Sequence, residues 1–262
     1  MKKKMIILLA AAMMALSAGS AFAAFGDMSL ERYVYGATTE VATDLGNVST
    51  LLATTDNKIG AGSSSFVNMG LSSGPLYATY FAYDNNTGNM WISAAKGLGT
   101  IVVADENGNP VKGSEAGYNS ATSVANALNG YYNSKSQVTS GGATSASSAR
   151  TGDGLQTWFK LMDQVQAGRG QYAGMIDVNQ ISGTEVALDL TTAAVQGLYF
   201  FDAATYGATP GVGVNFTEVG SVTTNIDGTT TVNASQVPIP AAAYLLGSGL
   251  LGMVGFRRKS KG

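Results

Sequence analysis

The chain has 262 residues, no cysteine and no histidine, and 12% of its residues are charged, fifteen basic against seventeen acidic. Without cysteine it has no disulfides, thiolate metal sites or thiol nucleophiles; without histidine it has no Ser-His-Asp triad, no common zinc site and no imidazole to move protons near neutral pH. Seven of the fifteen basic residues (Lys2, Lys3, Lys4, Arg257, Arg258, Lys259, Lys261) sit at the two ends, leaving a body with eight cations, seventeen acids and a net charge of −9, which argues against a phosphate-neutralising surface and so against nucleic-acid partners.

Residues 1–23 open with Lys2, Lys3 and Lys4, continue with an apolar stretch from Met5 to about Leu16, and close on Ala21-Phe22-Ala23. A charged start, an apolar middle and the small-x-small end at Ala21 and Ala23 predict a signal peptide, hence passage through the Sec machinery, cleavage by signal peptidase and export through the inner membrane. An exported body without disulfides is held by its own core, which is feasible because a domain of ~150 to 200 residues buries roughly 70% of its unfolded surface.

The first part of that body covers residues 24–133. Leu30, Arg32 and Val34, then Val41 and Leu45, lie in two extended runs around Gly36-Ala37-Thr38-Thr39, a pattern that predicts a hairpin. Asn47 or Ser49 is placed to cap a short helix through Leu51 and Leu52. In PLYATYFAYDNNTGNMWISAA, Tyr77, Thr79, Phe81 and Tyr83 share one strand face, and Asp84 to Gly88 supplies the turn before Met90, Trp91 and Ile92. A similar unit is expected at Ile101 to Ala104, with its turn at Asp105 to Asn109 before Pro110 and Val111. The spacing of Val124, Leu128 and Tyr131 or Tyr132 predicts a helix between Ser120 and Tyr132.

Residues 134–154, SKSQVTSGGATSASSARTGDG, have almost no apolar side chain. Too little surface is available there to offset ordering entropy, so the stretch reads as a flexible loop or linker. The second part, residues 155–236, begins with an apolar stripe of helical period, Leu155, Trp158, Phe159, Met162 and Val165. Short β runs follow: MIDV, EVALDL, GLYFFDA, GVGVNFTEV, and SVTTNIDGTTTVNAS with its Asp227-Gly228 hairpin signal. The expected fold is mainly β, an antiparallel sandwich or barrel-like body with one or two short helices.

Residues 237–262 read VPIP, then an uncharged AAAYLLGSGLLGMVGF, then RRKSKG. Ala241 to Phe256 spans only ~24 Å as a helix, so it crosses a ~30 Å hydrocarbon layer with help from Ile239 and snorkelling arginines. A C-terminal transmembrane helix is expected, with Arg257, Arg258 and Lys259 as a cytoplasmic basic stop and the body outside the inner membrane. Gly247, Gly249, Gly252 and Gly255 allow close contact with another membrane helix.

Taken together in that order, Val237, Pro238, Ile239, Pro240, Ala241, the LLGSGLLG core and the Arg-Arg-Lys end resemble the PEP-CTERM class of sorting tails, specifically its VPLPA variant. The resemblance covers about 23 residues, and Ile239 stands where the main class has Glu. It implies recognition by an exosortase, a transpeptidase-like membrane enzyme of Gram-negative bacteria. It also implies transient anchoring, then release or transfer to the cell surface or extracellular space, and association with exopolysaccharide or biofilm matrix. The start of the body, SLERYVYGATTEVATDLGNVSTLL, is faintly similar to N-terminal units of other exported proteins with such tails.

Chemistry in the body reads as follows. Asp105 to Asn109 offers alternate oxygen ligands, but Pro110 stands where an EF-hand needs Gly and no Glu falls at the twelfth place, so the stretch reads as a hairpin turn and no metal site is expected. Asp153, Asp163, Asp177, Glu185, Asp189 and Asp202, with Trp158 as a sugar platform, contain the residue types of a glycosidase, but no spacing singles out a pair. Tyr77, Tyr80, Tyr83, Trp91, Tyr199, Phe200 and Phe201 stack on sugars only if they face outward; a β face of aromatics is more often core. Asn47, Asn85, Asn215 and Asn233 head N-glycosylation sequons of a kind that recurs by chance in such a chain. The sequence therefore points to a non-catalytic, exported surface or matrix protein with no cofactor, sorted by an exosortase-like enzyme and binding polysaccharide or its own copies. The alternatives are a carboxylate-based glycan-active enzyme and a self-assembling surface subunit.

Overall fold

Alternating apolar residues on both sides of tight polar turns give this chain its strands, and all twelve described strands join one sheet. The structure is a computed structural model describing residues 25–54, 57–60, 75–102, 117–149, 185–188, 191–205 and 215–234. The strands are β1 (Ser29–Tyr35), β2 (Thr39–Asn47), β3 (Asn57–Ile59), β4 (Leu76–Tyr83), β5 (Met90–Ala94), β6 (Thr100–Val102), β7 (Gln137–Ser140), β8 (Ala143–Ala149), β9 (Val186–Leu188), β10 (Ala194–Phe201), β11 (Asn215–Thr224) and β12 (Thr230–Ala234). They pair antiparallel in the order β3-β12-β11-β10-β5-β4-β1-β2-β8-β7, with β6 on β11 and β9 on β4. Helix α1 (Val48–Leu52) follows β2, and α2 (Gly117–Asn133) precedes β7.

The sheet curls into a half-barrel. Arg32 of β1 reaches the carbonyl of Gly228, in the turn between β11 and β12, at 2.7 Å. At the two ends of the sheet, Gly60 N–H, just past β3, donates to Gly141 O in the β7–β8 turn at 3.2 Å. Central strands are consequently covered on both faces: β1 is buried throughout, and β4 everywhere except Tyr77. Leu30, Leu45, Tyr80, Trp91, Leu198, Val222 and Val232 fill the inside of the curl together with Val48 and Leu51 of α1. Tyr33, Phe81, Ile92, Tyr199 and Phe201 pack on the outside with Val124, Leu128 and Tyr132 of α2. Each such ring removes roughly 150–250 Å² from water, worth ~4–6 kcal/mol at ~25 cal/mol per Å² before ordering entropy is subtracted.

The β1–β2, β4–β5 and β11–β12 hairpins expected from sequence are present. Asn47 is the helix cap, its side chain accepting from Thr50 N–H at 3.1 Å. The helix expected at Ser120–Tyr132 is α2. Ile101 lies in β6, which pairs with β11 rather than with the strand expected after Asp105–Asn109; that turn lies outside the described residues.

The reading of residues 134–154 as a loop or linker is corrected over Gln137–Ala149, which forms the β7–β8 hairpin and adds β8 to β2. Ser140 and Ala143 flank Gly141 (φ 60) and Gly142 (φ 83), and positive φ at both central residues is what a two-residue hairpin turn needs. Poverty in large apolar side chains does not prevent this, because the hairpin borrows a core. Ala143 packs inside the curl and Ala146 outside it, where small side chains fit against neighbours already in place. The two parts of the body also share one sheet, since β10 pairs with β5 and β9 with β4. The helix expected over Leu155 to Val165 and the transmembrane helix expected over Ala241 to Phe256 lie outside the described residues; among those residues no helix is long and apolar enough to cross a membrane.

Candidate functional site

Strand alternation and the β1–β2 register concentrate polar groups on the outer face. Glu31 stands opposite Asp44, Tyr33 opposite Ala42, and Tyr35 opposite Glu40, and residues two apart share a face. All three carboxylates are buried. Tyr33 donates its hydroxyl to Glu31, and Tyr132 of α2 donates its own to Glu40. The rings of Tyr33 and Tyr132 lie 5.8 Å apart, and Phe25 packs 5.4 Å from Tyr132. Asp44 accepts from Phe25 N–H at 2.8 Å through one oxygen, and from Ser29 Oγ and Gly46 N–H, both at 2.7 Å, through the other.

Burial governs the electrostatics of this cluster. It pushes the Glu31 carboxyl up to about 8, against the opposing effect of the Tyr33 hydroxyl and with a further push from the Asp44 charge. Burial also raises Asp44, partly offset by its donors Ser29, Gly46 and Phe25. The Tyr33 hydroxyl is held well above its ordinary range, by burial first and by Glu31 second. A buried carboxyl that keeps its proton near neutrality is a proton store and a hydrogen-bond donor, and at 3% exposure Glu31 is closed to a bulky substrate.

On the inner face, Arg32 is fully buried. Its guanidinium donates to Gly228 O at 2.7 Å, to Thr230 Oγ1 at 3.0 Å and to Thr43 Oγ1 at 3.4 Å. The Tyr80 hydroxyl hydrogen-bonds Thr224 Oγ1 at 2.6 Å and Thr230 Oγ1 at 3.2 Å, so the same threonine ties β1 and β4 to β12. Burial lowers the affinity of the Arg32 guanidinium for its proton.

The residues singled out from sequence fare unevenly. Ala21, Ala23, Val237, Pro238, Ile239, Pro240, Arg257, Arg258 and Lys259 all lie outside the described residues, as do Asp153, Trp158, Asp163, Asp177 and Asp189. Asp202 accepts from Ala204 N–H at 2.9 Å at the start of a 3-10 turn, and Glu185 precedes β9. Tyr80, Tyr83, Trp91, Tyr199 and Phe201 are core, Phe200 packs at its margin, and Tyr77 is 37% exposed and stacks on Tyr35. Among the sequons, Asn47 is engaged as a helix cap and Asn85 is exposed in the β4–β5 turn. Among the described residues no group of three or more acidic, histidine or cysteine side chains is placed to hold a metal ion.

Sequence reasoning passed over Glu31, Glu40 and Asp44, and read Arg32 only as a residue of the first strand. The signal was present in part: Glu40 and Asp44 are four apart in one strand, hence on one face, and Glu31 and Arg32 are adjacent, hence on opposite faces. That both faces are covered depends on α2 and on the curl, which no local pattern specifies. Compared with protein-family models, with curated proteins and with solved structures, the chain matches none.

Proposed function

We propose that this is an exported, non-catalytic surface or matrix protein, delivered by a cleavable C-terminal tail that an exosortase-like enzyme reads, and acting by adhesion to exopolysaccharide. The observation that carries the proposal is the order of motifs in the tail: Val237-Pro238-Ile239-Pro240, sixteen uncharged residues and Arg257-Arg258-Lys259, beginning three residues after the last described strand ends at Ala234. A signal sequence at 1–23 and a tail of this composition place the body outside the inner membrane. The described body supports the same reading, because its buried carboxylates bond to tyrosine, serine and main-chain donors and its strand aromatics fill cores.

Deletion of Val237 to Gly262 tests the delivery step. The truncated protein is expected to be exported but lost from the cell surface or matrix fraction, and unchanged surface display would overturn the proposal. Retention of the purified body on exopolysaccharide without turnover supports adhesion; release of sugar products would replace it with a glycan-active enzyme.

A further inference from the structure

We infer that the outer face of the sheet carries a linear binding site for an uncharged glycan, with the Tyr77 ring as its stacking platform. This rests on the adhesion reading above and gives it a place on the body.

Strand register builds the site. Tyr199 of β10 faces Ile92 of β5, which faces Phe81 of β4, and all three pack on the outside with α2. Side chains two apart share a face, so four residues back along their strands Val195 and Tyr77 stand on that same face. β5 has ended by then, at Ala94; β9 takes its place beside β4, with Ala187 directly opposite Tyr77, and lies against β10. From Val195 the row continues through Thr223 of β11 and Thr231 of β12 to Lys58 of β3, each directly opposite the one before. On its other side Tyr77 pairs with Tyr35, and Tyr35 with Glu40, where the Tyr132 hydroxyl of α2 lands. The row thus begins where the helix cover stops. At ~4.8 Å per strand, the steps from Tyr77 to Lys58 extend about 24 Å.

Tyr77 is 37% exposed and Val195 46%, Ala187 and Lys58 are exposed, and Thr223 and Thr231 are half-buried. Along β4, by contrast, Tyr80, Phe81 and Tyr83 are buried. The Tyr77 ring stacks on that of buried Tyr35, 5.8 Å away and inclined by 26°. A ring already held in place loses little freedom when a ligand arrives. Val186 and Leu188 pack with Leu76 and Ala78, which anchors β9 on either side of Ala187.

Chemistry selects the occupant. Tyrosine offers an apolar ring with a polar tip, and a sugar ring presents a flat C–H face edged with hydroxyls. Thr231 Oγ1 accepts from Asn225 Nδ2 at 3.1 Å, and a hydroxyl that accepts still has its proton to give. Thr223 adds a second hydroxyl across the ladder. The cation of the row, Lys58, is paired with Asp227 at 2.9 Å, and the chain between its two basic ends carries −9. That field repels a polyanionic glycan and leaves an uncharged one unopposed. Three apolar side chains, Tyr77, Ala187 and Val195, fall far short of the ~20–30 residues a side that a stable protein interface uses.

The exported protein, purified from cells, is tested against exopolysaccharide from the same cells, separated by anion exchange into uncharged and anionic fractions. Binding is read by affinity electrophoresis. The uncharged fraction is expected to retard the native body, and Tyr77→Ala to weaken that binding about tenfold, the order of a tyrosine anchor. Tyr77→Phe is expected to stay close to native, and Val138→Ala, on the exposed strand β7, to change nothing. Because Tyr77→Ala also removes the contact with Tyr35, Val195→Arg tests the row independently, with weakened binding expected at an unchanged thermal midpoint. Native binding by both Tyr77→Ala and Val195→Arg overturns the inference and leaves adhesion standing. Retardation by the anionic fraction alone overturns the choice of glycan, and no binding to either fraction overturns adhesion and this site together. Self-association in sedimentation that Tyr77→Ala abolishes assigns the row to a second copy and overturns the inference as well.

Discussion

At the scale of single residues, Glu31 couples folding to pH. Its folded pKa is about 8 against an ordinary 4.5, so below pH 4.5 both states carry the proton and the contribution to stability is fully present. Between those values the unfolded chain releases a proton that the folded chain keeps, and stability falls as pH rises until it levels off above 8. Asp44, also raised, acts in the same direction. The urea midpoint is therefore expected to be higher at pH 5 than at pH 8.5, by an amount corresponding to a few kcal/mol, with Glu31→Gln flattening the profile. A midpoint that rises over this range would contradict the placement of Glu31. Nothing in SLERYVY marks Glu31 as buried, because an acid in a strand is ordinarily solvated; its place between Asp44 of β2 and Phe81 of β4, with the Tyr33 hydroxyl on its carboxyl, is set by distant pairing.

At the scale of elements, β10 shows how one small residue positions a large one. A Cβ on Gly197 would lie 2.6 Å from Tyr199 Cε2. That ring is pinned, since its hydroxyl donates to Ala95 O at 2.7 Å and accepts from Leu98 N–H at 3.0 Å. Gly197→Ala is expected to cost roughly 1–3 kcal/mol in denaturant unfolding through overpacking; a neutral result would mean that the ring moves freely. Strands with large alternating side chains, such as β1, β4 and β10, are legible from sequence because burial demands those residues. The β7–β8 hairpin is not, because its serines, threonines and alanines are sufficient beside a strand that supplies the core. α2 is legible through Val124, Leu128 and Tyr132, whose helical spacing is the face it packs on the sheet.

At the scale of the whole molecule, the curl depends on contacts between residues nearly two hundred positions apart, as between Arg32 and Gly228. Such closure is invisible in any local window, and folds dominated by distant pairing form slowly. Arg32→Met removes the donors that bind β1 to Gly228 and Thr230, leaving their oxygens in a buried space. The expected cost is about 3 kcal/mol, with faster amide exchange across Thr230–Ala234; unchanged protection there would show that the curl does not depend on this residue. The proposed function rests on the sequence of the two chain ends, whereas the described sheet informs packing and stability.

The central claim is that this body is exported and processed at its carboxyl end by a sorting enzyme. Intact mass spectrometry of the protein recovered from the cell surface or medium tests it most directly. The predicted species starts at Ala24 and ends upstream of Arg257, and disappears in cells lacking the exosortase-like enzyme. A surface form retaining the Arg257-Arg258-Lys259 end, or the same shortened form in those cells, would contradict it.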